Sequence, residues 1–203
     1  IPVPGMNLDI VDDDGNSIHE KNGYLVIKSP WPSMTRGLLN DDERYLETYW
    51  SRFKNIWFHG DYVFADEDNL WYMRGRADDV INVSGHRMST AEIEHTVISH
   101  KKISDAASVS IPDELTGEAI VVFFVSENKN DKGLEPIIME HISQKIGKIA
   151  KPKLIFQISD LPKTRTGKIM RRLLKSKLMG MELGDLSSLE NPDILLEIDE
   201  LKI

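Results

Sequence analysis

The first third of the chain alternates hydrophobic and polar positions over short stretches, which is the spacing of β-strands. Strands are predicted at Leu8–Val11 and Tyr24–Ile27, on either side of an aspartate-rich turn. Two aromatic stretches, 57–65 and 70–74, flank four polar residues at 66–69 and predict a β-hairpin. The pattern therefore indicates a small β-rich unit at the start of the chain.

One helix is predicted between these strands, over residues 41–53. Its apolar positions, Leu46, Tyr49, Trp50 and Phe53, recur at helical spacing and form one face. We expect the aromatic residues of this face to be packing positions.

From residue 78 onward the pattern changes to alternating helices and strands. The predicted elements are helices at 89–100, 134–149, 169–178 and from Pro192, and strands at 80–83, 106–111, 119–125 and 154–158. The unbroken apolar run at 119–125 is typical of a central strand. The predicted fold class is α+β: a small β-rich subdomain, residues 1–77, then a mobile C-terminal α+β domain, residues 78–203, with a short mixed sheet flanked by helices.

Composition narrows the possible functions of this 203-residue chain. A net charge of -8 and a pI near 5.3 argue against nucleic-acid binding, so an anionic ligand needs local basic patches. Such patches occur around Arg87 and Lys168. The lack of cysteine excludes disulfides, thiolate metal sites and a cysteine nucleophile. No apolar run has the length of a membrane span and no signal peptide is visible, so a cytoplasmic location is expected.

Two stretches, 75–94 and 161–172, combine charge with turn-forming residues. In the first, Ser84-Gly85 predicts a tight turn, and Ser89 to Glu92 reads as a capping box that opens a helix. Taken alone, Asp78-Asp79 is more often a solvated turn than a site. The second stretch repeats the same mixture far downstream and favours a functional interpretation.

These stretches resemble two signature motifs of the adenylate-forming superfamily, which contains acyl-CoA synthetases, peptide-synthetase adenylation domains and luciferases. The first is Gly-Arg-x-Asp-Asp at 75–79 with Glu-Ile-Glu at 92–94, and the second is Pro-x-Thr-x-x-Gly-Lys at 162–168. Within the superfamily, residues 81–87 and 161–172 are most similar to AMP-forming acetyl-CoA synthetases (acetate-CoA ligases).

The resemblance runs over essentially the whole chain but matches only the last part of the family's length. It implies a missing N-terminal core domain, which in the family carries the phosphate loop, most of the adenine pocket and the acyl pocket. Both a fragment and a short chain that needs a partner fit this pattern.

The chemistry that the resemblance implies has two steps. Acetate attacks ATP to give acetyl-adenylate and pyrophosphate, and the CoA thiol then displaces AMP. By motif position Lys168 is the cation that stabilises the negative charge gathered in the first step. A P-loop interpretation fails because Pro162 replaces the first glycine and Ile169 replaces the Ser/Thr, whereas a merely solvated lysine stays an alternative.

The resemblance also assigns nucleotide contacts and a hinge. Asp61 matches the carboxylate that accepts the ribose hydroxyls of ATP or AMP, Arg76 a second nucleotide contact, and Arg87 a phosphate contact. Asp78 matches the hinge about which the C-terminal domain of the family swings between the two steps. Without the resemblance, Asp61 is equally compatible with a simple turn.

Ser84 and Gly85 match positions that border the CoA pantetheine tunnel. Ile98, His100 and Ile103 match positions that coordinate Mg²⁺, plausibly through carbonyls at the negative end of the helix dipole. A simple helix end explains the last three residues as well.

Two positions depart from the family pattern. Ser143 stands where acetyl-CoA synthetases often carry a CoA-binding arginine, and a lysine among residues 145, 148, 151 and 153 is the available replacement. His59 replaces the threonine that is common in the superfamily.

The sequence thus predicts the C-terminal part of an AMP-forming acetate-CoA ligase that uses ATP, CoA and Mg²⁺ and acts on small molecules rather than nucleic acid or membranes. We expect this part to be inactive alone. A ligase for propionate or another short-chain acid is one alternative, and a non-catalytic interaction module is another.

Overall fold

The computed structural model describes residues 3–128, 131 and 133–201. Residues 1 and 203, where the predicted domains begin and end, lie outside these ranges. The chain divides into two compact units, Ile1–Val80 and Ile81–Ile203, three residues after the boundary predicted from the sequence. Within the described ranges, no helix has both the length and the apolar character needed to cross a membrane.

The first unit is built on a four-stranded antiparallel sheet in the order β1-β2-β3-β4. Its elements are β1 (Leu8–Val11), β2 (Asn22–Ile27), α1 (Asp42–Trp50), β3 (Trp57–Ala65) and β4 (Trp71–Arg76), followed by a short 3₁₀ helix, Ala77–Asp79. The predicted strands and the hairpin are confirmed.

Helix α1 differs from the prediction in length and in buried face. It starts where the Asp41 carboxylate accepts a hydrogen bond from Arg44 N, and it ends at Trp50. The predicted aromatic residues do pack: Phe53 is buried, and the rings of Tyr49 and Trp50 contact Trp57, the Tyr49 ring at 4.3 Å between centroids. Leu46 is 57% exposed, and Tyr45, which the prediction left out, is buried beside Trp57.

The second unit contains a five-stranded mixed sheet in the order β6-β5-β8-β7, with β9 pairing parallel to β8. Its elements are β5 (Val80–Val83), β6 (His86–Ser89), α2 (Thr90–Ile98), β7 (Ile103–Asp113), β8 (Gly117–Ser126), α3 (Glu135–Lys145), a 3₁₀ turn (Lys148–Ala150), β9 (Leu154–Gln157), α4 (Arg171–Leu178) and α5 (Ile194–Asp199). The predicted α+β class and the mixed sheet are confirmed.

The central position of β8 follows from its apolar run, because alternate side chains enter two separate cores. Val122 and Phe124 pack with α2 and α3, whereas Val121 and Phe123 pack with α4 and α5. Helices therefore flank the sheet, as predicted. Strand β6 was missed, and the predicted helix 134–149 ends at Lys145, shortly before Gly147 with φ of 127°.

Candidate functional site

The turn between β5 and β6 presents the residues predicted to border CoA. Both Ser84 (φ 50°) and Gly85 (φ 83°) have positive φ, which is the geometry of a two-residue type I′ hairpin turn. A Cβ added at Gly85 would have no atom within 4 Å, so glycine is favoured here by the backbone conformation and not by crowding from this chain. Ser84 N donates to Thr116 O at 2.8 Å, which anchors the turn to the start of β8.

Arg87 lies two residues beyond this turn, on β6, with an exposed side chain. The next two residues, Met88 and Ser89, are buried, and Ser89 Oγ accepts a hydrogen bond from Ala91 N at the start of α2. Ser89 is thus the N-cap that the sequence predicts. The strand and the cap together hold Arg87 on a rigid support beside the Ser84–Gly85 turn.

Lys168 lies on a second tight loop, which continues into α4. Thr164 N donates to Lys168 O at 2.9 Å, Lys168 N donates to Thr164 Oγ1 at 3.1 Å, and Gly167 N donates to Thr164 O at 2.8 Å. Gly167 has φ of 81°, a conformation that favours glycine. The Lys168 side chain is exposed and forms no ion pair with the part of the chain that the structure describes. The loop therefore holds its backbone firmly and leaves the ammonium group accessible.

Asp61, Arg76 and Asp78, predicted to contact the nucleotide or form the hinge, are brought together in the first unit. Asp61 Oδ1 lies 3.4 Å from Arg76 Nη1, and Arg76 Nε lies 3.1 Å from Asp78 Oδ1. The other oxygen of Asp61 lies 2.8 Å from His59 Nδ1. A Cβ at Gly60 would lie 2.7 Å from Arg76 Nη2, so the glycine makes room for the guanidinium group.

Asp78 is in the 3₁₀ helix that precedes β5, and its side chain is 74% exposed. Val80 and Ile81, at which the compact units divide, follow within three residues. The ion pair with Arg76 is the contact that the structure gives this carboxylate. Its role as a hinge stays a prediction.

Residues predicted to hold Mg²⁺ lie at the end of α2. His100 O accepts a hydrogen bond from Ile103 N at 2.9 Å, and Ile98 is an exposed residue in the last turn of the helix. Burial, and next the charge of His141, lower the pKa of His100. In the described ranges no three His, Cys, Asp or Glu side chains are grouped as metal ligands. A metal here would therefore rest on main-chain carbonyls, and the assignment stays a prediction.

Ion pairs reduce the set of lysines that could replace the CoA-binding arginine. Ser143 Oγ donates to Met139 O at 3.0 Å within α3. Lys153 Nζ lies 2.6 Å from Asp113, and this bond, with those from Thr116, holds the pKa of the Asp113 carboxyl well below its usual range.

Lys148 and Lys151 are exposed and line one groove with Val83, next to the Ser84–Gly85 turn. Thr116, whose carbonyl anchors Ser84, lines the same groove. Exposed Leu115 and Ile149 add apolar surface. The groove thus combines apolar walls with lysines near the turn predicted to border CoA.

Sequence reasoning missed the ion pairs that hold both ends of the Lys168 loop. At one end, Lys163 lies between Asp105 and Asp160. At the other, Arg171 forms two bonds with buried Glu94. Asp160 is only three residues from Lys163, but Glu94 is 77 residues from Arg171, so no local pattern reveals that pair.

Comparison with known proteins finds a matching family model for part of the chain and similar proteins over most of it. Residues 92–168 match the family "AMP-binding enzyme C-terminal domain". The chain is 46% identical over 193 residues to an acetyl-coenzyme A synthetase of Pyrobaculum arsenaticum, covering 94% of this chain and 29% of that protein. It is 43% identical over 203 residues to the acetyl-coenzyme A synthetase of Chlorobaculum tepidum, covering 98% of this chain and 31% of that protein. The chain thus spans about 30% of the length of these relatives.

Solved structures of CoA synthetases and CoA ligases share the fold of this chain. The acetoacetyl-CoA synthetase from Streptomyces lividans superposes with a TM-score of 0.83 at 26% identity, over 98% of this chain and 31% of that one. The anthranilate CoA ligase AuaEII superposes with a TM-score of 0.74 at 28% identity, over 88% of this chain and 34% of that one. Residues 92–168 therefore match the family of AMP-binding enzyme C-terminal domains, and most of the chain is similar to about 30% of the length of acetyl-coenzyme A synthetases.

Proposed function

We propose that the chain is the C-terminal part of an AMP-forming acetyl-CoA synthetase, which activates acetate with ATP and transfers the acetyl group to CoA. The observation that carries this proposal is the Lys168 loop, a rigid turn with an exposed, unpaired ammonium group within the described part of the chain. The similarity to acetyl-coenzyme A synthetases over most of this chain supports it.

In the first step, a carboxylate oxygen of acetate attacks the α-phosphorus of ATP, and the bond to pyrophosphate breaks. Negative charge then gathers on the reacting oxygens, and the Lys168 ammonium stabilises it electrostatically. A lysine suits this role because its charge lies at the end of a flexible stem. Hydrogen bonds anchor the backbone of residues 164–168, so only the side chain of Lys168 is free to move.

The Asp61 and Arg76 pair is the nucleotide contact of the first unit, and Arg87 is a phosphate contact of the second unit in its own right. The Asp61 carboxylate offers two acceptor oxygens to two ribose hydroxyls, and each arginine offers forked donors to phosphate oxygens. Asp61 already bonds to Arg76 and His59, so its side chain is oriented before the nucleotide binds.

Between the steps the second unit rotates about Asp78. This removes Lys168 from the nucleotide and presents the Ser84–Gly85 turn to the incoming thiol. The exposed aspartate near the division of the two units supports a hinge here.

CoA then passes the Ser84–Gly85 turn, and its phosphates bind Lys148 and Lys151 in place of the family's arginine. These two lysines line the adjoining groove, whereas Lys153 is neutralised by Asp113. A Mg²⁺ bound by main-chain oxygens at residues 98, 100 and 103 would add positive charge at the end of α2, and no step is assigned to it.

The direct test is to measure the mass of the intact gene product that contains this chain and to assay it with acetate, ATP and CoA. We expect acetate-dependent AMP release from the intact protein and none from residues 1–203 alone. Faster AMP release with propionate or another short-chain acid than with acetate would change the proposed substrate. Activity of the isolated chain would contradict the need for a core domain, and an intact protein inactive with every acid would favour an interaction module.

A further inference from the structure

The Lys168 loop is supported by a polar network that the proposed mechanism does not use. Lys163 Nζ lies 2.8 Å from Asp105 Oδ2 on β7 and 3.0 Å from Asp160 Oδ1. The side chains of Lys163 and Asp105 are about three-quarters buried. Burial by itself lowers the pKa of the Lys163 ammonium, but the bonds to both carboxylates outweigh it and raise this pKa above its ordinary value. Lys163 is therefore a fixed cation.

Asn191 completes this network from a distant part of the chain. Its Oδ1 accepts a hydrogen bond from Lys163 N at 3.1 Å, and its Nδ2 donates to Asp160 Oδ2 at 3.1 Å and to Leu161 O at 2.8 Å. The residue before it, Glu190, donates its N–H to Lys163 O at 2.9 Å. Asn191 thus binds the backbone and the side chains at the first end of the loop.

The same residues set the direction of the Lys168 turn. Lys163 and Ile169 form an antiparallel bridge, and Thr164 forms another with Leu189. A shift of Lys163 would move the turn from Thr164 to Lys168 as one body, because its own hydrogen bonds are internal. A displacement of about 1 Å at a reacting group typically costs on the order of 100-fold in rate.

We propose that Lys163 and Asn191, anchored by Asp105 and Asp160, are positioning residues that hold the Lys168 ammonium for the first reaction step. This inference rests on the proposed function. It differs from a general structural role because the network acts on the rate only through Lys168, and Lys168 acts only in adenylation.

The test compares Lys163→Met and Asn191→Leu in the intact gene product with the conservative variants Lys163→Arg and Asn191→Asp. We expect adenylation of acetate to fall about 10–100-fold in the first pair, with thioester formation from supplied acetyl-adenylate unchanged. Lys163→Arg keeps the charge between the two carboxylates and should restore most of the rate. The matched control is Lys177→Met. It removes an ion pair between Lys177 on α4 and Asp199 on α5, away from the loop, and should leave both rates unchanged.

A double-mutant cycle with Lys168→Ala identifies the route of the effect. In the Lys168→Ala background, Lys163→Met should cause no further loss of adenylation, because the group that it positions is gone. Three outcomes would each overturn the inference. The losses of Lys163→Met and Lys168→Ala could multiply in the double variant, the two half-reactions could fall equally, or Lys163→Met and Asn191→Leu could both keep wild-type adenylation. The proposed function would survive all three outcomes, whereas a wild-type protein unable to adenylate any acid would overturn both.

A measurement without catalysis guards against a misfolded variant. Amide exchange in the intact gene product should become about tenfold faster at Thr164, Gly167 and Lys168 in Lys163→Met, while the amides of β8 keep their protection. Unchanged exchange at the loop would overturn the inference, and faster exchange throughout β8 would assign Lys163 a general structural role and overturn it equally.

Discussion

Replacing Glu94 by alanine should destabilise the second unit strongly, because this carboxylate is buried and satisfies three donors. Its oxygens accept from Arg171 Nε at 2.8 Å and Arg171 Nη2 at 2.6 Å, and Oε1 also accepts from Ser108 N at 2.8 Å. The Glu94 side chain is 9% exposed and that of Arg171 24%. The ion pair joins α2 to the start of α4 and, through Ser108, to β7.

The size of the effect follows from these contacts. Removing one partner of a buried ion pair costs about 3–5 kcal/mol, and the partial exposure of Arg171 places this case near 3. The buried Ser108 N–H loses its acceptor as well, which adds about 1 kcal/mol. We therefore expect Glu94→Ala to lower the free energy of unfolding by about 4 kcal/mol, and Glu94→Gln, which keeps a neutral acceptor, by about 1–2 kcal/mol.

The distribution of tryptophan provides an internal control for this experiment. All four tryptophans, residues 31, 50, 57 and 71, lie in the first unit, so their fluorescence during urea unfolding reports on that unit. Far-UV circular dichroism reports on both units, and α2 to α5 belong to the second. We expect Glu94→Ala to lower the midpoint of the dichroism transition and leave the fluorescence midpoint in place.

The control variant is Lys177→Met. Its ion pair with Asp199 has one half-exposed member and should contribute no more than about 1 kcal/mol. A Glu94→Ala protein no less stable than Lys177→Met would refute the reasoning that the buried pair holds α4 to α2.

Three further predictions concern the intact gene product. Lys168→Ala should slow adenylation of acetate about 10²–10³-fold while thioester formation from supplied acetyl-adenylate keeps its rate, and equal losses in the two assays would refute the separate roles of the two steps. Asp78→Pro fixes φ and should slow one half-reaction selectively in single-turnover measurements, so unaltered kinetics would argue against a hinge at this position. The double variant Lys148→Ala/Lys151→Ala should raise KM for CoA about tenfold and leave KM for ATP unchanged, with Lys101→Ala as the control, and an unchanged KM for CoA would remove the groove from the CoA path.

The predicted site residues are divided between the two compact units. The residues predicted to contact the ribose and to form the hinge belong to the first unit, and Lys168, Ser84 and Gly85 belong to the second. Each group is rigid within its own unit: Asp61 is oriented by Arg76, and the Lys168 loop by its own hydrogen bonds. Rotation about Asp78 stays a prediction, which the Asp78→Pro variant tests.

Local patterns in the sequence were sufficient for most of the elements. The alternation of β1 to β4, the apolar run of β8 and the Ser89 cap of α2 depend on neighbours within a few residues, so the sequence revealed them directly. Where a local preference competed with packing, the prediction failed. Leu46 fits the helical pattern but is exposed, whereas Tyr45, which lies outside the pattern, is buried because its ring meets Trp57.

By its motifs and pattern alone, the sequence determined the α+β class, the turn at Ser84–Gly85, and the position of Lys168 in a conspicuous motif. The tertiary structure decided what holds that lysine: Asp105 on β7, Glu94 on α2 and Asn191 in the segment before α5 meet the loop only after the sheet and helices have packed. The physical reason is range. Turn and strand preferences act over a few residues, whereas a charge partner is chosen by distance in space, which the order of residues along the chain does not record.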